Sequence, residues 1–350
     1  MHDYAGAFHI HTDYSFDGNT GIKSVIDSAR SAGLNFIIVT DHSRLDAKND
    51  GYEGWHNGLF TLVGEEISPR FSHYLALDID KPVIAWQKKT RPQEYIDAVS
   101  AQGGFGLIAH PDHTGAPKFG VKEYSWKDWN VSGYAGISVW DLMTDWQEKL
   151  TSPLAAAFAY LFPTDVLSGP KKETLERWDE LNKAKSVPGF GEIDNHNLKK
   201  RFYGLNFWIF PFDYAFRTIR THILLNEPLS GIKEGAKNQI HAAIKSGRMY
   251  IAQEYWKSAK GFVFRIYDSE TEAVCGGAFR LSEKPAALEV KIPSDGAIKL
   301  IFNGKLVAES RKRYINFDID KPGIYRVEVF QKYLGKLRPW IYSNHIRVTV

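Results

Sequence analysis

The feature that most constrains this fold is a rhythm of short apolar runs separated by helical patterns, which continues from residue 7 to about residue 255. Residues 7–11 and 36–39 are typical of strands, and residues 21–32 between them place apolar side chains at helical spacing. The rhythm returns with apolar runs at residues 60–63, 74–79, 105–109, 136–140 and 222–225. Continuous apolar strands alternating with helices predict an α/β fold with a largely parallel, covered sheet, and their number indicates a barrel.

The C-terminal part of the chain has a different rhythm, which begins at about Gly261. Leu288, Val290 and Ile292 alternate with other residues, and Asn303-Gly304 is typical of a two-residue hairpin turn. No helical pattern interrupts this part of the sequence. We therefore predict a small C-terminal β-sandwich at residues 259–350, following a barrel domain at residues 1–258.

Composition argues against several classes of protein. The 350 residues include 44 basic and 41 acidic side chains, and a formal charge of +3 gives nucleic acid or an anionic membrane little reason to bind. No apolar run is long enough to span a bilayer, and Cys275 is the only cysteine. We expect a soluble, cytoplasmic protein with a small-molecule substrate and no stable nucleic-acid or membrane partner. A secreted or periplasmic location stays open because a cleaved signal peptide leaves no trace, and the oligomeric state stays open as well.

Side chains able to bind metals are concentrated at the ends of the predicted strands. They are His9, His11, Asp17, His42, the pair Glu65-Glu66, His73, His110, Asp194 and His196. A barrel gathers the C-terminal ends of its strands at one face, where active sites lie. His9 and His11 are separated by one residue, so on an extended strand both imidazoles project to one side and could share a cation. Imidazole and carboxylate ligands without thiolate favour Zn²⁺, Mn²⁺ or Fe²⁺.

These residues lie in motifs that resemble those of the PHP (polymerase and histidinol phosphatase) superfamily. The segment His9-Ile10-His11-Thr12 resembles the first family motif, Thr40-Asp41-His42 the second, and Gly64-Glu65-Glu66 the third. His73 and His110 match the two intermediate histidines, and Asp194-Asn195-His196 the last motif. The resemblance extends from His9 to about Ala252, some two-thirds of the chain.

The resemblance implies a distorted (β/α)7 TIM-like barrel and a site for two or three divalent cations. Glu66 would bridge two metals, and the other ligands would be His9, His11, Asp17, His42, His73, His110, Asp194 and His196. Two departures from the family pattern concern loops. Glu192-Ile193 precede Asp194 where Gly and Ser are usual, and Asp112-His113 stand where a basic residue normally follows the fifth-strand histidine.

Two later segments, residues 216–222 and 338–344, are similar to a two-domain branch of the family that includes carbaryl-hydrolase-like enzymes. In that branch a β-rich tail follows the barrel, as it is predicted to do in this chain. The role of the tail stays open.

A cluster of this kind predicts a metal-dependent hydrolase. Paired cations lower the pKa of a bound water from 15.7 towards about 7 and so supply hydroxide at neutral pH. We expect a phosphoesterase acting on a small phosphorylated metabolite or nucleotide. The predicted catalytic helpers are Asp41, which could orient a ligand or move a proton, and His113, Arg217 and Arg220, which could bind the anion or protonate the leaving group. Capping of backbone amides by Asp41 and a structural ion pair of an arginine are the simpler alternatives.

Two other functions stay open. A metallohydrolase of a carboxylic or carbamic ester is supported by the two-domain resemblance and by the missing basic residue near His110. A metal-binding module without turnover is the third, and the complete ligand set argues against it.

The segment 153–163 is apolar on every side, and it is too short to span a bilayer. Burial against the outer helices of the barrel is the simplest interpretation. A lid over the site and a dimer contact are the alternatives.

Overall fold

The computed structural model describes residues 1–85, 90–202 and 204–350. The elements up to the last predicted ligand motif are β1 (His2–Ile10), α1 (Ile22–Ser31), β2 (Phe36–His42), α2 (Asp46–Asn49), β3 (Gly54–His56), β4 (Leu59–Ile67), β5 (Tyr74–Leu77), α3 (Pro92–Ala101), β6 (Phe105–Ile108), β7 (Gly136–Asp141), α4 (Leu142–Gln147), α5 (Pro153–Leu161), α6 (Lys172–Ala184) and β8 (Gly189–Glu192). They are followed by β9 (Leu198–Phe202), β10 (Leu205–Ile209), α7 (Phe212–Ala215), β11 (Ile219–Leu225), α8 (Lys233–Ser246) and β12 (Met249–Gln253).

The strands that precede the last ligand motif lie side by side in the order β1-β2-β4-β5-β6-β7-β8. The chain beyond β8 returns to β1, where the amide of Ile193 donates to the carbonyl of Phe8 at 3.1 Å and that of Asn195 to the carbonyl of His9 at 3.3 Å. These bonds bring the two ends of the strand series together beside the predicted ligands. The predicted mixed α/β class with a large central sheet is confirmed.

One strand of this series runs against the others. β5 pairs antiparallel with both β4 and β6, whereas β1-β2, β2-β4, β6-β7 and β7-β8 are parallel pairs. A parallel pair needs a long crossover, but only residues 68–73 separate β4 from β5. The start of β5 therefore lies beside the ends of its parallel neighbours. This explains why His73, which precedes its strand, belongs with ligands that follow theirs.

Local packing follows the sequence pattern closely in the first βα unit. Ile22, Val25, Ile26 and Ala29 form the buried face of α1, as the helical spacing predicts. Tight contacts occur where strands cross, since a Cβ on Gly191 of β8 would lie 2.5 Å from Cγ2 of Ile251 in β12. Such contacts hold the end of β8, and the ligand motif after it, against neighbouring strands.

The C-terminal strands are β13 (Val263–Tyr267), β14 (Glu272–Val274), β15 (Ala278–Arg280), β16 (Ala286–Lys291), β17 (Gly296–Phe302), β18 (Lys305–Ser310), β19 (Tyr314–Ile319), β20 (Gly323–Tyr333), β21 (Lys336–Ser343) and β22 (Ile346–Thr349). A four-stranded sheet, β14-β13-β16-β19, shares an apolar core with the remaining strands through residues such as Phe264, Leu288, Val327 and Ile341. The predicted sandwich is confirmed only in part, because its second layer continues into the main sheet through the pairing of β12 with β21.

Polar contacts also join the tail to the preceding part of the chain. The Asn344 side chain accepts from the amide of Gly189 at 2.7 Å and donates to the carbonyls of Gly189 and Met249 at 2.7 and 3.0 Å. All the atoms involved are buried, so each bond is costly to break. The division at residues 258 and 259 stays a prediction, and the structure adds that both sides share a sheet. In the described part of the chain, no helix combines the length and apolarity that crossing a bilayer requires.

Candidate metal centre

The carboxylate of Glu66, buried in β4, lies at the centre of the predicted ligand set. Its Oε2 lies 3.3 Å from Nε2 of His9, 3.4 Å from Nε2 of His11 and 3.0 Å from Nδ1 of His42. Its Oε1 lies 2.6 Å from Nδ1 of His73 and 3.4 Å from Nε2 of His110. Each oxygen thus has its own set of imidazoles, and Glu66 can contribute one oxygen to each of two cation sites.

Asp17 and Asp194 extend the cluster on the other side of His11. Oδ2 of Asp17 lies 3.2 Å from Nε2 of His42 and 3.3 Å from Nε2 of His196. Oδ1 of Asp194 lies 3.3 and 3.4 Å from Nε2 of His9 and His11. The ligand atoms form three groups, each within 4.8 Å: His9, His11 and Glu66; Glu66, His73 and His110; and His11, Asp17, His42 and His196. The structure therefore brings all nine predicted ligands together.

The chemistry of the donor atoms fits divalent cations. Nε2 of His9 and Nε2 of His11 are buried and make no hydrogen bond to any described residue. The other nitrogen of His9, Nδ1, lies 2.7 Å from Oε2 of Glu192, a partner that can hold its proton there. His73 has the same arrangement with the two nitrogens exchanged, because its Nε2 lies 3.0 Å from the carbonyl of Pro69. A proton fixed on one imidazole nitrogen leaves a lone pair for metal on the other.

The carboxylates of the centre raise the pKa values of several of its histidines, whereas burial lowers those of His11 and His73. Burial opposes a charge on His9, yet Asp194 and Glu66 raise its pKa well above the ordinary value. Nearby carboxylates likewise overcome burial at His42 and His110, whose pKa values rise to about 10 and about 9. Burial would raise the pKa of Glu66, but the surrounding histidines hold it well below its usual range. Cations bound beside the histidines with raised pKa values would take the place of added protons, and metal binding would then release those protons.

Three of the ligands lie on backbone that L-residues rarely adopt. His9, His110 and Asp194 have φ angles of 65°, 23° and 43°. Conformations of this kind cost roughly 1–3 kcal/mol each and cluster at functional sites. His9 lies in β1, as the sequence predicts, but the pairing of β1 with β2 shifts register between Ala7 and Ile10, and His9 itself has the positive φ. Both His9 and His11 face Glu66.

Comparison with known protein families gives a match for the part of the chain that carries most of this cluster. Residues 7–125 match the family model of the PHP domain. The predicted resemblance to PHP proteins is thereby confirmed. This stretch, called the PHP segment below, carries seven of the nine ligand candidates, and Asp194 and His196 follow it.

Comparison with solved structures gives matches at low sequence identity, two of which are described here. A two-domain protein from Bacteroides vulgatus, described as containing a predicted PHP-like metal-dependent phosphoesterase, is 15% identical with a TM-score of 0.44, covering 98% of this chain and 95% of that chain. A candidate metal-dependent phosphoesterase from Bifidobacterium adolescentis is 17% identical with a TM-score of 0.36, covering 58% of this chain and 92% of that chain. No curated protein matches the chain. The similarity to carbaryl-hydrolase-like enzymes stays a prediction.

Glu192 is a residue of the centre that sequence reasoning missed. One of its oxygens faces Nδ1 of His9, and the other accepts from the backbone amide of His110 at 2.6 Å. It is fully buried at the end of β8 and connects that strand to two ligands of the PHP segment. Its strand-end position was a usable signal, because the same rule selects the other ligands. In the sequence, Glu192 stands out only as a departure from the last motif.

Asp41 supports the loop that follows His11. Its Oδ1 accepts from the amide of Thr12 at 2.6 Å, and its Oδ2 accepts from the Thr12 hydroxyl at 2.8 Å. Burial raises the pKa of Asp41, while both bonds to Thr12 oppose that shift. The geometry favours the simpler alternative, in which Asp41 positions backbone next to a ligand.

His113 is buried beside the centre, with its ring centroid 5.5 Å from that of His110. Both nitrogens are engaged, because Nδ1 accepts from the amide of Tyr124 at 3.2 Å and Nε2 lies 2.8 Å from Oε1 of Gln147. Burial and the charge of His110 lower its pKa to about 4. A neutral His113 with its proton on Nε2 satisfies both contacts, and in this arrangement it has no proton to spare for a leaving group.

Of the two arginines of the predicted helper set, Arg217 lies between α7 and β11, and Arg220 lies in β11. Arg220 donates to Glu254 at 2.9 Å and to the carbonyls of Phe216 and Ala32, each at 2.8 Å. Arg217 has an exposed side chain. The contacts of Arg220 correspond to the structural ion pair weighed as an alternative in the sequence, because they direct its guanidinium to Glu254 and backbone carbonyls.

Proposed function

We propose that this chain is a metal-dependent phosphoesterase that binds two or three divalent cations and acts on a small phosphorylated metabolite or nucleotide. The observation that carries the proposal is the position of Glu66, whose two oxygens each face a separate set of imidazoles. We further propose that the strands from β1 to β8 form the distorted (β/α)7 barrel that the PHP resemblance implies.

The proposed ligands are assigned to three cation sites. Glu66, His73 and His110 would hold one cation, and Glu66, His9, His11 and Asp194 would hold a second next to it. Asp17, His42 and His196 would hold a third. Cations bound there would polarise a phosphoryl oxygen and lower the pKa of water to about 7. Zn²⁺, Mn²⁺ and Fe²⁺ suit these ligands equally by ligand type.

The remaining residues position the ligands. Glu192 orients His9 and the backbone of His110, while Asp41 fixes Thr12 beside His11. The Ser68 hydroxyl lies 2.8 Å from Nδ1 of His42 and can restrain that ring. Preorganised ligands of this kind do not have to be rearranged as charge develops on the transferred phosphoryl group.

The test compares two adjacent glutamates on β4. Glu66→Gln removes the proposed bridging charge, whereas Glu65→Gln changes a buried carboxyl whose Oε1 accepts from the amide of Val83 at 2.6 Å. The assay is hydrolysis of p-nitrophenyl phosphate, bis-p-nitrophenyl phosphate and p-nitrophenyl acetate by zinc-loaded and manganese-loaded protein, together with bound metal per chain. We expect turnover of the phosphates, a loss of more than roughly a hundredfold in Glu66→Gln together with lost metal, and a far smaller effect in Glu65→Gln.

Other outcomes identify the alternatives. Turnover of the acetate alone would favour an ester hydrolase, and bound metal without turnover of any of the three would favour a binding module. Full metal occupancy in Glu66→Gln would contradict the proposed centre.

A further inference from the structure

Helix α5 presents an apolar surface to solvent. Only Ala159 of this helix is buried, while Leu154, Leu161 and Phe158 are 82%, 68% and 52% exposed. Phe162, directly after the helix, is also exposed. The sequence favoured burial of this segment against outer helices, and that interpretation is wrong for these side chains. Exposed apolar groups gathered in one place mark interaction surfaces more often than groups scattered singly.

The β9-β10 hairpin adds aromatic and basic groups to this surface. Phe207 of β10 contacts Tyr160 of α5, with ring centroids 5.3 Å apart. Trp208 is 42% exposed, and the Lys199 ammonium lies 5.4 Å from the centroid of its ring. Lys200 and Arg201 continue the basic run of β9 and are exposed. We call α5, Phe162 and these hairpin residues the rim surface.

The rim surface has a one-sided charge. Residues 150–164 contain no charged side chain, and residues 195–212 contain no acidic one. The +3 charge of the whole chain predicts no membrane partner, but it averages over this local pattern. An apolar face bordered by Lys, Arg and Trp is typical of elements that lie in the interface of a bilayer.

The rim surface also adjoins the metal centre. β9 begins two residues after the ligand His196, and α5 is fastened to α4 by a 2.9 Å hydrogen bond from the Trp146 indole to the carbonyl of Ala159. Gln147 of the same helix contacts His113 beside the centre. A partner seated on the rim surface would therefore lie near the proposed active site.

A second copy of the chain fits this surface poorly. A twofold interface places a patch against itself, which would bring two basic runs together without an acidic residue from either hairpin to neutralise them. An anionic bilayer supplies negative headgroups for the lysines and an apolar boundary for Leu161 and Phe158. We propose that the rim surface binds peripherally to anionic lipid bilayers. This proposal does not depend on the proposed catalytic function, because lipid binding is measured without substrate.

The experiment is co-sedimentation of the full chain with vesicles of phosphatidylcholine alone or of equimolar phosphatidylcholine and phosphatidylglycerol. We expect binding to the anionic vesicles that weakens as salt rises. The triple variant Lys199→Gln, Lys200→Gln, Arg201→Gln should lose roughly a hundredfold in affinity, since each basic residue near such a surface contributes about fivefold. The double variant Phe158→Ser, Leu161→Ser should lose binding through its apolar face.

Matched controls come from the tail. Leu306 and Leu337 are 53% and 51% exposed, so Leu306→Ser with Leu337→Ser removes comparable apolar surface elsewhere and should bind as the wild type does. Unchanged circular dichroism and metal content would show that the rim variants are folded. Absence of binding to anionic vesicles, or equal binding by the rim variants, would overturn the proposal. Sedimentation velocity supplies a further arm, in which a lipid-free dimer abolished by Phe158→Ser and Leu161→Ser would assign the surface to a second copy instead.

Discussion

The metal centre and the junction with the tail both bury carboxylates beside histidines, yet they neutralise them differently. In the junction network of Asp179, Arg326, Glu328 and His345, the guanidinium donates to both oxygens of Asp179 at 2.7 and 2.8 Å. In the centre, the ion pairs that Asp17, Glu66 and Asp194 form with described residues are all with histidines. The charge of a carboxylate paired with arginine is neutralised by the chain itself. Carboxylates that face only imidazoles are neutralised when protons or cations are added.

Removal of the tail is the most severe way to break this comparison. A chain ending near Gly261 loses Arg326 and His345 and exposes β12, whose residues 250–252 pair with β21. We expect loss of soluble protein, because Asp179 loses its partners and an apolar strand edge becomes free. Expression and size-exclusion chromatography check this. A soluble, metal-loaded product would show instead that the tail is only appended.

Arg326→Ala separates stability from metal binding. The variant leaves Asp179 buried without its guanidinium, so we expect the free energy of unfolding to fall by about 3–5 kcal/mol while bound metal per chain stays unchanged. Urea unfolding of the metal-free protein and metal analysis of the loaded protein provide the two readings. Arg313→Ala, in an exposed pair with Asp295, is the control and should leave stability nearly unchanged. Metal loss in Arg326→Ala at full folding would contradict the division between the two regions.

His222 is a buried histidine outside the metal centre whose charge is neutralised by carboxylates of the chain itself. It tests whether such a histidine contributes to stability. Burial opposes its charge, but the carboxylates of Asp3 and Glu254, 2.7 and 3.5 Å from its two nitrogens, raise its pKa to about 9. Because the pKa of His222 is higher in the folded protein, its protonation stabilises the fold. This contribution is fully present below pH 6.5, the pKa in the unfolded chain, and is lost as pH rises through about 9. We expect a loss of roughly 3 kcal/mol over that window. Urea unfolding of metal-loaded protein at several pH values should show a flatter profile for His222→Gln, and parallel profiles would exclude the titration.

Glu192→Gln gives the smallest expected effect and sharpens the account of the centre. The amide keeps an acceptor for the His110 backbone but removes the charge that holds the Nδ1 proton of His9. Changes to groups that orient metal ligands weaken metal affinity by about 10–100-fold. Calorimetric titration with Zn²⁺ measures this, with Glu65→Gln as the buried control. Unchanged affinity for Zn²⁺ would show that Glu192 only accepts the hydrogen bond from the His110 amide and does not orient His9.

Site residues that belong to a local sequence pattern could be predicted, whereas contacts between segments distant in sequence could not. The candidate ligands could be found from strand-end positions and short motifs, since each depends on local pattern. Glu192 obeyed the same rule but was set aside as a departure from the last motif, and its partners, His9 and His110, are 183 and 82 residues away, so no local pattern indicated them. Arg220 has one local partner, the Phe216 carbonyl, but its other two partners, Glu254 and Ala32, are 34 and 188 residues away. Helical spacing cannot reveal whether a guanidinium reaches a substrate or a carbonyl.

The sequence by itself determined the α/β rhythm, the buried face of α1, the β-rich tail and the nine candidate ligands, because periodicity and residue type act over a few neighbouring positions. Tertiary structure decided the antiparallel direction of β5, the continuation of the main sheet into the tail and the exposure of α5. It also decided which buried carboxylates meet arginine and which meet only histidine. Those outcomes depend on which distant segments pack together, and that choice is made by the free energy of the whole chain.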